Sequence, residues 1–240
     1  MPKTNFFTSK LTVMKLRTKI SLLSVALVIA MLGYVISCTH KDTVPPSGGS
    51  NGSDITRGTD HIGFNDGKTN FDKAHSNVNW ATAYLGSTSI LTGRFNTFGF
   101  NSFNFYEDKA DSIYFEAYVY LNSVNTSEPA RDGGCLLGTF GTAAGAGYVD
   151  SNLAIIKSKK VDLSTTDKGY IVTADFTFHG VTKEVTAKMD YAGKATSGTS
   201  EAYGFNLAFS ILAISDFGIA STSISDNVDI KCGASFKHTP

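Results

Sequence analysis

Hydrophobic and polar residues alternate along much of the chain after residue 70, and the alternation is clearest in residues 169–191. In the first half of this stretch, Val172, Ala174 and Phe176 share one face of an extended chain, with polar residues between them. The second half repeats the pattern. His179-Gly180 separates the halves, and glycine adopts a positive φ without steric cost. The stretch therefore predicts a β-hairpin with a tight primed turn.

Six further stretches alternate in the same way and are not separated by long helical patterns. They are residues 77–85, 89–98, 111–123, 152–162, 202–212 and 227–237. Together with the hairpin they give eight strands of an antiparallel all-β domain. An even number of such strands can close into a barrel without free edges, so we predict an eight-stranded antiparallel β-barrel. A two-sheet sandwich is the alternative.

Residues 124–151 interrupt the strand pattern with a short helical or irregular segment. Ser127 and Pro129 are typical of a helix start, and Gly-rich sequence follows at residues 133–147. Its spacing does not match a phosphate-binding loop, since no Lys-Ser or Lys-Thr follows and no βαβ unit surrounds it. We therefore predict a mobile loop or a shortened helix.

The N-terminus predicts export and a lipid anchor. Residues 1–37 combine basic residues with the apolar run 20–36, which is typical of a signal peptide. Val35-Ile36-Ser37-Cys38 resembles a bacterial lipobox, which would make Cys38 the lipid-attachment residue. Because the run approaches the ~17–25 residues of a membrane span, a transmembrane helix with an incidental Cys is the alternative.

The sequence after Cys38 divides into a tether and a domain. Residues 38–68 are rich in Gly, Ser and Pro and predict a flexible tether, and residues 69–240 predict the barrel domain. Thr39 favours an outer-membrane anchor by analogy with lipoprotein sorting. We expect a cell-envelope protein that faces the periplasm or the cell surface, bound to the membrane through its lipid.

Charge and motifs narrow the classes of function. Once the five basic residues of 1–37 are set aside, 16 basic and 21 acidic residues leave a net charge of −5, which argues against nucleic acid as a partner. Asp72, His75 and Ser76 lie too close in sequence for a catalytic triad, and a turn hydrogen bond fits them better. We found no hydrolase, zinc or redox motif. The sequence therefore predicts no enzyme, no cofactor and no metal site.

Two cysteines remain after Cys38. Cys135 and Cys232 form an even pair in a chain expected to enter an oxidising compartment. They could form a disulfide between the Gly-rich segment and the last strand. Two separate small buried side chains are the alternative.

Several motifs together resemble the YceI-like family of lipocalin-like, polyisoprenoid-binding bacterial proteins. The matching pieces are residues 71–80, Gly93-Arg94-Phe95, Arg131-Asp132, residues 173–182, Ser215-Asp216-Phe217-Gly218 and Ser225-Asp226-Asn227-Val228. The resemblance implies a lipocalin-like barrel that binds an isoprenoid or another long-chain amphiphilic lipid in its lumen. Two features depart from the family pattern. Tyr84 replaces a histidine, and Gly-rich sequence replaces most of a helix.

A hydrocarbon ligand is held by removing apolar surface from water, at ~25 cal/mol per Å². Candidate ligand-binding residues are the large apolar side chains on the inward faces of the strands. They are Trp80, Phe95, Phe115, Val119, Phe176, Phe178, Met189, Phe205, Phe209 and Ile230. Ordinary core packing is the alternative for each of them, and Tyr114, Tyr118 and Tyr120 would line the lumen if the faces were reversed. The expected role is a lipid carrier or a sequestering protein. A surface-interaction or structural lipoprotein with a side-chain-filled barrel is the alternative, and a homodimer is compatible with either.

Overall fold

The computed structural model describes residues 55–147 and 149–240. The predicted signal peptide and its lipid-attachment residue, Cys38, lie outside the described residues. Among the described residues, helices are all too short or too polar to cross a membrane.

The part of the chain that the structure describes contains twelve strands, which form one antiparallel sheet. They are β1 (His61–Gly63), β2 (Thr69–Phe71), β3 (Asn77–Tyr84), β4 (Ser89–Phe95), β5 (Phe98–Tyr106), β6 (Tyr114–Tyr120), β7 (Val124–Asn125), β8 (Leu153–Leu163), β9 (Tyr170–Phe178), β10 (Val181–Ser197), β11 (Ser200–Leu212) and β12 (Ile224–His238). Their order in the sheet is β1-β5-β6-β8-β9-β10-β11-β12-β3-β4-β7, and β2 pairs with β12. The sheet curls into a half-open barrel, so the predicted all-β, antiparallel, lipocalin-like class is confirmed.

The predicted count of eight strands is too low because it omits the long strand β5 and the three short strands β1, β2 and β7. Phe98 and Phe100 are in one alternation phase, whereas Phe103 and Phe105 are in the other. The register between β5 and β6 shifts between Phe100 and Ser102, which marks a β-bulge. A bulge inserts one extra residue and so exchanges the two faces of the strand. Phe100, Phe103 and Phe105 therefore pack in or against the core, and Phe98 contacts Phe71, although their spacing breaks the sequence pattern.

The hairpin of β9 and β10 forms as predicted. His179 and Gly180 have φ of 52° and 75°, which are the two positive values of a type I′ turn. The register pairs Phe178 with Val181 and continues without a shift to Tyr170 and Met189. The residues of β9 that were assigned to the inward face are all buried. The local sequence is thus sufficient to define this hairpin.

Residues 129–139, which include the start of the Gly-rich region, form a short helical segment, as the shortened-helix alternative predicts. It consists of an α-helical turn (Pro129–Arg131), a π-helical turn (Asp132–Leu136) and a second α-helical turn (Leu137–Thr139). Glu128, not Ser127, caps it by accepting a hydrogen bond from the Ala130 amide. Leu136 and Leu137 pack against Trp80 and Val124.

The second part of the predicted tether is folded, so its assignment as flexible sequence is wrong. β1 pairs with β5 through residues 61–63, and the Ile62 side chain is only 1% exposed. The Arg57 guanidinium also donates to the carbonyl oxygens of Ser164, Asp167 and Gly169, at 3.0–3.3 Å. These contacts are long-range, and the local composition of residues 55–68 gives no sign of them. The folded unit therefore begins before residue 69.

Candidate ligand-binding cavity

A cavity lies inside the half-open barrel. The volume of this cavity is about 170 Å³. Strands β3–β6 and β8–β12 supply most of the wall. The helical segment contributes Leu136 and Thr139, and Phe140 follows directly after it. The few polar side chains on the wall are amides, hydroxyls and one thiol. Among the described residues that line the cavity, none carries a formal charge. This composition suits a hydrocarbon and disfavours an ionic ligand.

All ten candidate ligand-binding residues border this one cavity. They are Trp80, Phe95, Phe115, Val119, Phe176, Phe178, Met189, Phe205, Phe209 and Ile230. Their inward placement follows from alternation within each strand. Tyr114 faces outward and is exposed, whereas Tyr118 reaches the cavity border by lying across Gly99. The β6 faces are therefore not reversed. That the ten residues bind a ligand stays a prediction.

Trp80 lies flat against β4 at a glycine. Trp80 and Gly93 are opposite each other in the β3–β4 ladder. A Cβ atom at position 93 would come within 2.4 Å of Cζ2 and 2.8 Å of Nε1 of the indole. Real carbon–carbon contacts are ~3.5–4.0 Å, so a glycine is needed at this position for the ring to reach the strand. The indole Nε1 is buried and makes no hydrogen bond within the described protein.

One end of the barrel is closed by aromatic side chains and forms the floor of the cavity. Phe103 and Phe236 stack with centroids 3.9 Å apart, and Phe105 contacts Phe205 and Tyr191 at 4.8 Å and 4.9 Å. Below them, the Tyr191 hydroxyl donates to the Asp60 carboxylate at 2.7 Å, and Lys194 pairs with that carboxylate at 3.0 Å. The floor therefore combines a filled aromatic core with a polar network outside it.

The ionisable groups below the floor have shifted pKa values. Burial alone would raise the pKa of Asp60, but the hydrogen bonds from Tyr191 and Lys194, together with the Lys194 charge, hold it below its usual value. Burial, and then the hydrogen bond to Asp60, raise the pKa of the Tyr191 phenol. At neutral pH the network is thus an ionised carboxylate held by a neutral phenol and an ammonium group.

The other end carries a roof, residues 213–223, between β11 and β12. Ala213 and Ile219 face the cavity from this loop, and the buried Phe217 packs beside them. The carboxylate of Asp226 accepts hydrogen bonds from the amides of Ile214 and Ser215 and from the Ser215 hydroxyl. His179 lies at the hairpin turn with Nδ1 3.0 Å from the carbonyl oxygen of Phe217. From the β9–β10 turn, the His179 ring therefore contacts the backbone of the roof.

Sequence reasoning missed the lining residues outside simple alternation. They are Phe98, Phe100 and Phe103 around the bulge, Leu136 and Phe140 in the Gly-rich region, and Ala213 and Ile219 in the roof. The density of phenylalanine in residues 98–105 is the signal that could have identified β5. No comparable local signal marks the roof or the helical segment, because their inward faces depend on where the strands place them.

The proposed disulfide is not formed. Cys135 and Cys232 are free thiols. Cys135 lies exposed on the π-helical turn, while Cys232 borders the cavity from β12, where burial raises its pKa to about 12. The two side chains thus face different environments, solvent and the barrel interior, which is why they do not pair.

The groups that suggested catalysis form a turn. His75 Nδ1 lies 2.8 Å from the Asp72 carboxylate, but the Ser76 hydroxyl donates to the Asp72 backbone carbonyl and not to His75. Lys237 also pairs with Asp72. Within residues 55–147 and 149–240, no three His, Cys, Asp or Glu side chains cluster in a way that could hold a metal ion. The cavity is therefore the main candidate site.

Comparison with known proteins identifies the family. A model of the YceI-like domain matches residues 70–236. The chain belongs to the YceI-like family. A UPF0312 protein of Vibrio parahaemolyticus is 32% identical to this YceI-like chain over 162 residues, which cover 66% of the chain and 79% of the relative. The folded part that precedes residue 70, including β1 and Arg57, lies outside the family match.

Two solved structures share the fold of this YceI-like chain. BcnA of Burkholderia cenocepacia superposes with a TM-score of 0.51 at 18% identity, covering 69% of this chain and 99% of BcnA. A polyisoprenoid-binding domain from Saccharophagus degradans, implicated in plant cell wall breakdown, superposes with a TM-score of 0.50 at 20% identity, covering 72% and 99%. At these identities the likeness concerns the fold alone.

Proposed function

We propose that this protein binds a long-chain isoprenoid or a similar amphiphilic lipid in the barrel cavity and acts as a carrier or a sequestering protein. The observation that carries the proposal is a cavity of about 170 Å³ whose described lining includes no charged side chain. A ligand that is mostly hydrocarbon would gain ~25 cal/mol for each Å² of apolar surface removed from water. The cavity also argues against the alternative of a barrel filled entirely by side chains.

The volume limits how the ligand fits. An engineered cavity of ~150 Å³ in another protein takes up benzene. In this conformation the barrel therefore holds a segment of a long chain, and a complete chain requires the roof or the aromatic side chains to move. A membrane-derived lipid with several isoprene units would enter one end first, with its head group left near the barrel end.

The test is extraction of the purified full-length protein with organic solvent, followed by mass spectrometry. We expect a long-chain apolar molecule that is absent from Ala117→Phe, which fills the cavity, and present in Ala81→Phe, which places the same bulk on the outer face of β3. An empty protein that also fails to take up prenylated quinones or fatty acids would refute the proposal.

Export and lipid anchoring complete the proposed role. The supporting observations are the apolar run 20–36 and the lipobox-like residues before Cys38. Cleavage before Cys38 would leave a lipidated residue, and two or more acyl chains would anchor it stably. We expect the mature protein in the membrane fraction, bearing an acylated N-terminal Cys38 by mass spectrometry, and Cys38→Ala without that modification. An unmodified, uncleaved N-terminus would contradict the anchor and leave the lipid-binding proposal intact.

A further inference from the structure

The hairpin between β3 and β4 exposes large apolar side chains at the rim of the barrel. In this rim hairpin, residues 84–90, the exposed fractions are 37% for Tyr84, 54% for Leu85 and 73% for Ile90. Leu85 also has a φ of 44°, in the left-handed region that glycine or asparagine ordinarily occupies. A leucine that is both exposed and in this unfavourable conformation gains nothing for the fold from its apolar side chain. This combination indicates a role outside the folded core.

The chain segment that contains the rim hairpin carries no charged residue. Residues 74–93 contain no Lys, Arg, Asp or Glu, although charged residues make up 18% of the chain. The tip itself carries the hydroxyl groups of Ser87, Thr88 and Ser89. Such a surface can enter an apolar medium without burying a charge, and its hydroxyls can remain at the polar boundary.

The rim hairpin is continuous with the cavity and the roof. Tyr84 pairs with Ile224, and the Leu85 amide donates to the carbonyl oxygen of Ser223 at 2.8 Å, at the end of the roof. Thr82 and Leu91, which pair with each other directly behind the tip, both line the cavity. A lipid that leaves the cavity at this rim would therefore meet the exposed apolar side chains first.

We propose that the rim hairpin docks into the surface of a lipid bilayer, so that the cavity exchanges its ligand with the membrane through this rim. The inference rests on the proposed lipid binding. A bilayer fits this surface better than a protein partner does, because protein interfaces surround an apolar centre with a polar rim. Docking also lets the hydrocarbon chain pass from the bilayer to the cavity without crossing water. Leu85, through its bond to Ser223, connects the docked surface to the roof.

The test measures how deeply position 89 enters the bilayer. Vesicle binding alone would not be sufficient, because the apolar run 20–36 can bind vesicles without the rim hairpin. An environment-sensitive fluorophore is attached at Ser89→Cys in the full chain carrying Cys38→Ala and Cys135→Ser, which preserves Leu85 and Ile90. With phosphatidylcholine vesicles we expect a blue-shifted emission that doxyl-labelled lipids quench. The matched control is Leu163→Cys, an exposed apolar position next to the Tyr170 end of β9, where emission should stay that of water.

A second variant separates docking from folding and from ligand binding. Leu85→Asn with Ile90→Thr retains residues suited to a left-handed turn and to a strand, so the unfolding transition should not weaken. We expect several-fold slower transfer of a fluorescent prenylated quinone between vesicles and unchanged binding of that quinone in detergent.

Unquenched, water-like emission at position 89 in a protein that binds the quinone would overturn the docking inference alone. A blue shift that depends on protein concentration without vesicles would also overturn it, in favour of self-association. Failure of the wild type to bind the quinone would refute the proposed function, while the depth measurement would still decide docking.

Discussion

Replacing Gly93 by Ala should displace the only tryptophan of the chain. The new Cβ would meet the Trp80 ring at 2.4 Å from Cζ2 and 2.6 Å from Cε2. To restore ordinary contacts of ~3.5 Å, the ring must retreat by about 1 Å. It cannot do so freely, because it packs with Val124, Leu136 and Leu137 in one buried cluster.

The expected magnitude follows from two opposing effects. Overpacking of a buried side chain typically destabilises a protein by ~1–3 kcal/mol. Alanine in a strand regains about 0.5–1 kcal/mol relative to glycine, because it loses less backbone entropy on folding. We therefore expect Gly93→Ala to lower the free energy of unfolding by about 1–2 kcal/mol. With an m value of ~2 kcal/mol/M, the urea midpoint should fall by roughly 0.5–1 M.

Equilibrium unfolding in urea measures this change by far-UV circular dichroism and by tryptophan emission, which reports Trp80 alone. The matched control is Gly133→Ala in the helical segment, where an added Cβ meets no atom within 4 Å. That replacement should leave stability unchanged or raise it by up to ~1 kcal/mol. An unchanged midpoint together with an unchanged native emission spectrum for Gly93→Ala would refute the close approach of the Trp80 ring to β4.

Three further predictions concern Arg57, the polar network below the floor and the thiols. Arg57→Ala should lower the free energy of unfolding by about 2 kcal/mol, because charged hydrogen bonds to backbone carbonyls are lost. Thermal denaturation measures this loss, with Arg57→Lys as the milder change. Equal melting temperatures for the wild type and both variants would contradict the prediction. The pKa of Asp60 is lower in the folded state, so its contribution to stability is present above the unfolded pKa near 3.8 and is lost as pH falls below that value. Asp60→Asn should therefore flatten the acid limb of a curve of stability against pH. An unaltered acid limb would count against the Tyr191–Asp60–Lys194 network. In non-reducing buffer Cys135 should react rapidly with a thiol reagent and Cys232 only after unfolding; a disulfide-linked peptide joining them on mass spectrometry would disprove the free-thiol assignment.

Alternation of hydrophobic and polar residues could not predict the β-bulge or the roof of the barrel. Alternation assigned the inward faces of eight strands, and all ten candidate residues chosen from those faces border the cavity. The rule fails at β5, since the bulge near Asn101 exchanges the faces within one strand. It also fails in residues 55–68, where Ile62 is buried by a strand from a distant part of the chain.

The sequence by itself determined the elements whose causes are local. Period-two alternation defined the strands, and His179-Gly180 defined the β9–β10 turn, because side-chain direction and backbone φ depend on immediate neighbours. Tertiary structure alone decided that the aromatic rings fill one end of the barrel and leave a cavity at the other. It also decided that Cys135 and Cys232 face different environments and that, among the described residues, the rim hairpin is exposed. These properties depend on the curl of the sheet, which arises from pairing between residues far apart in the chain.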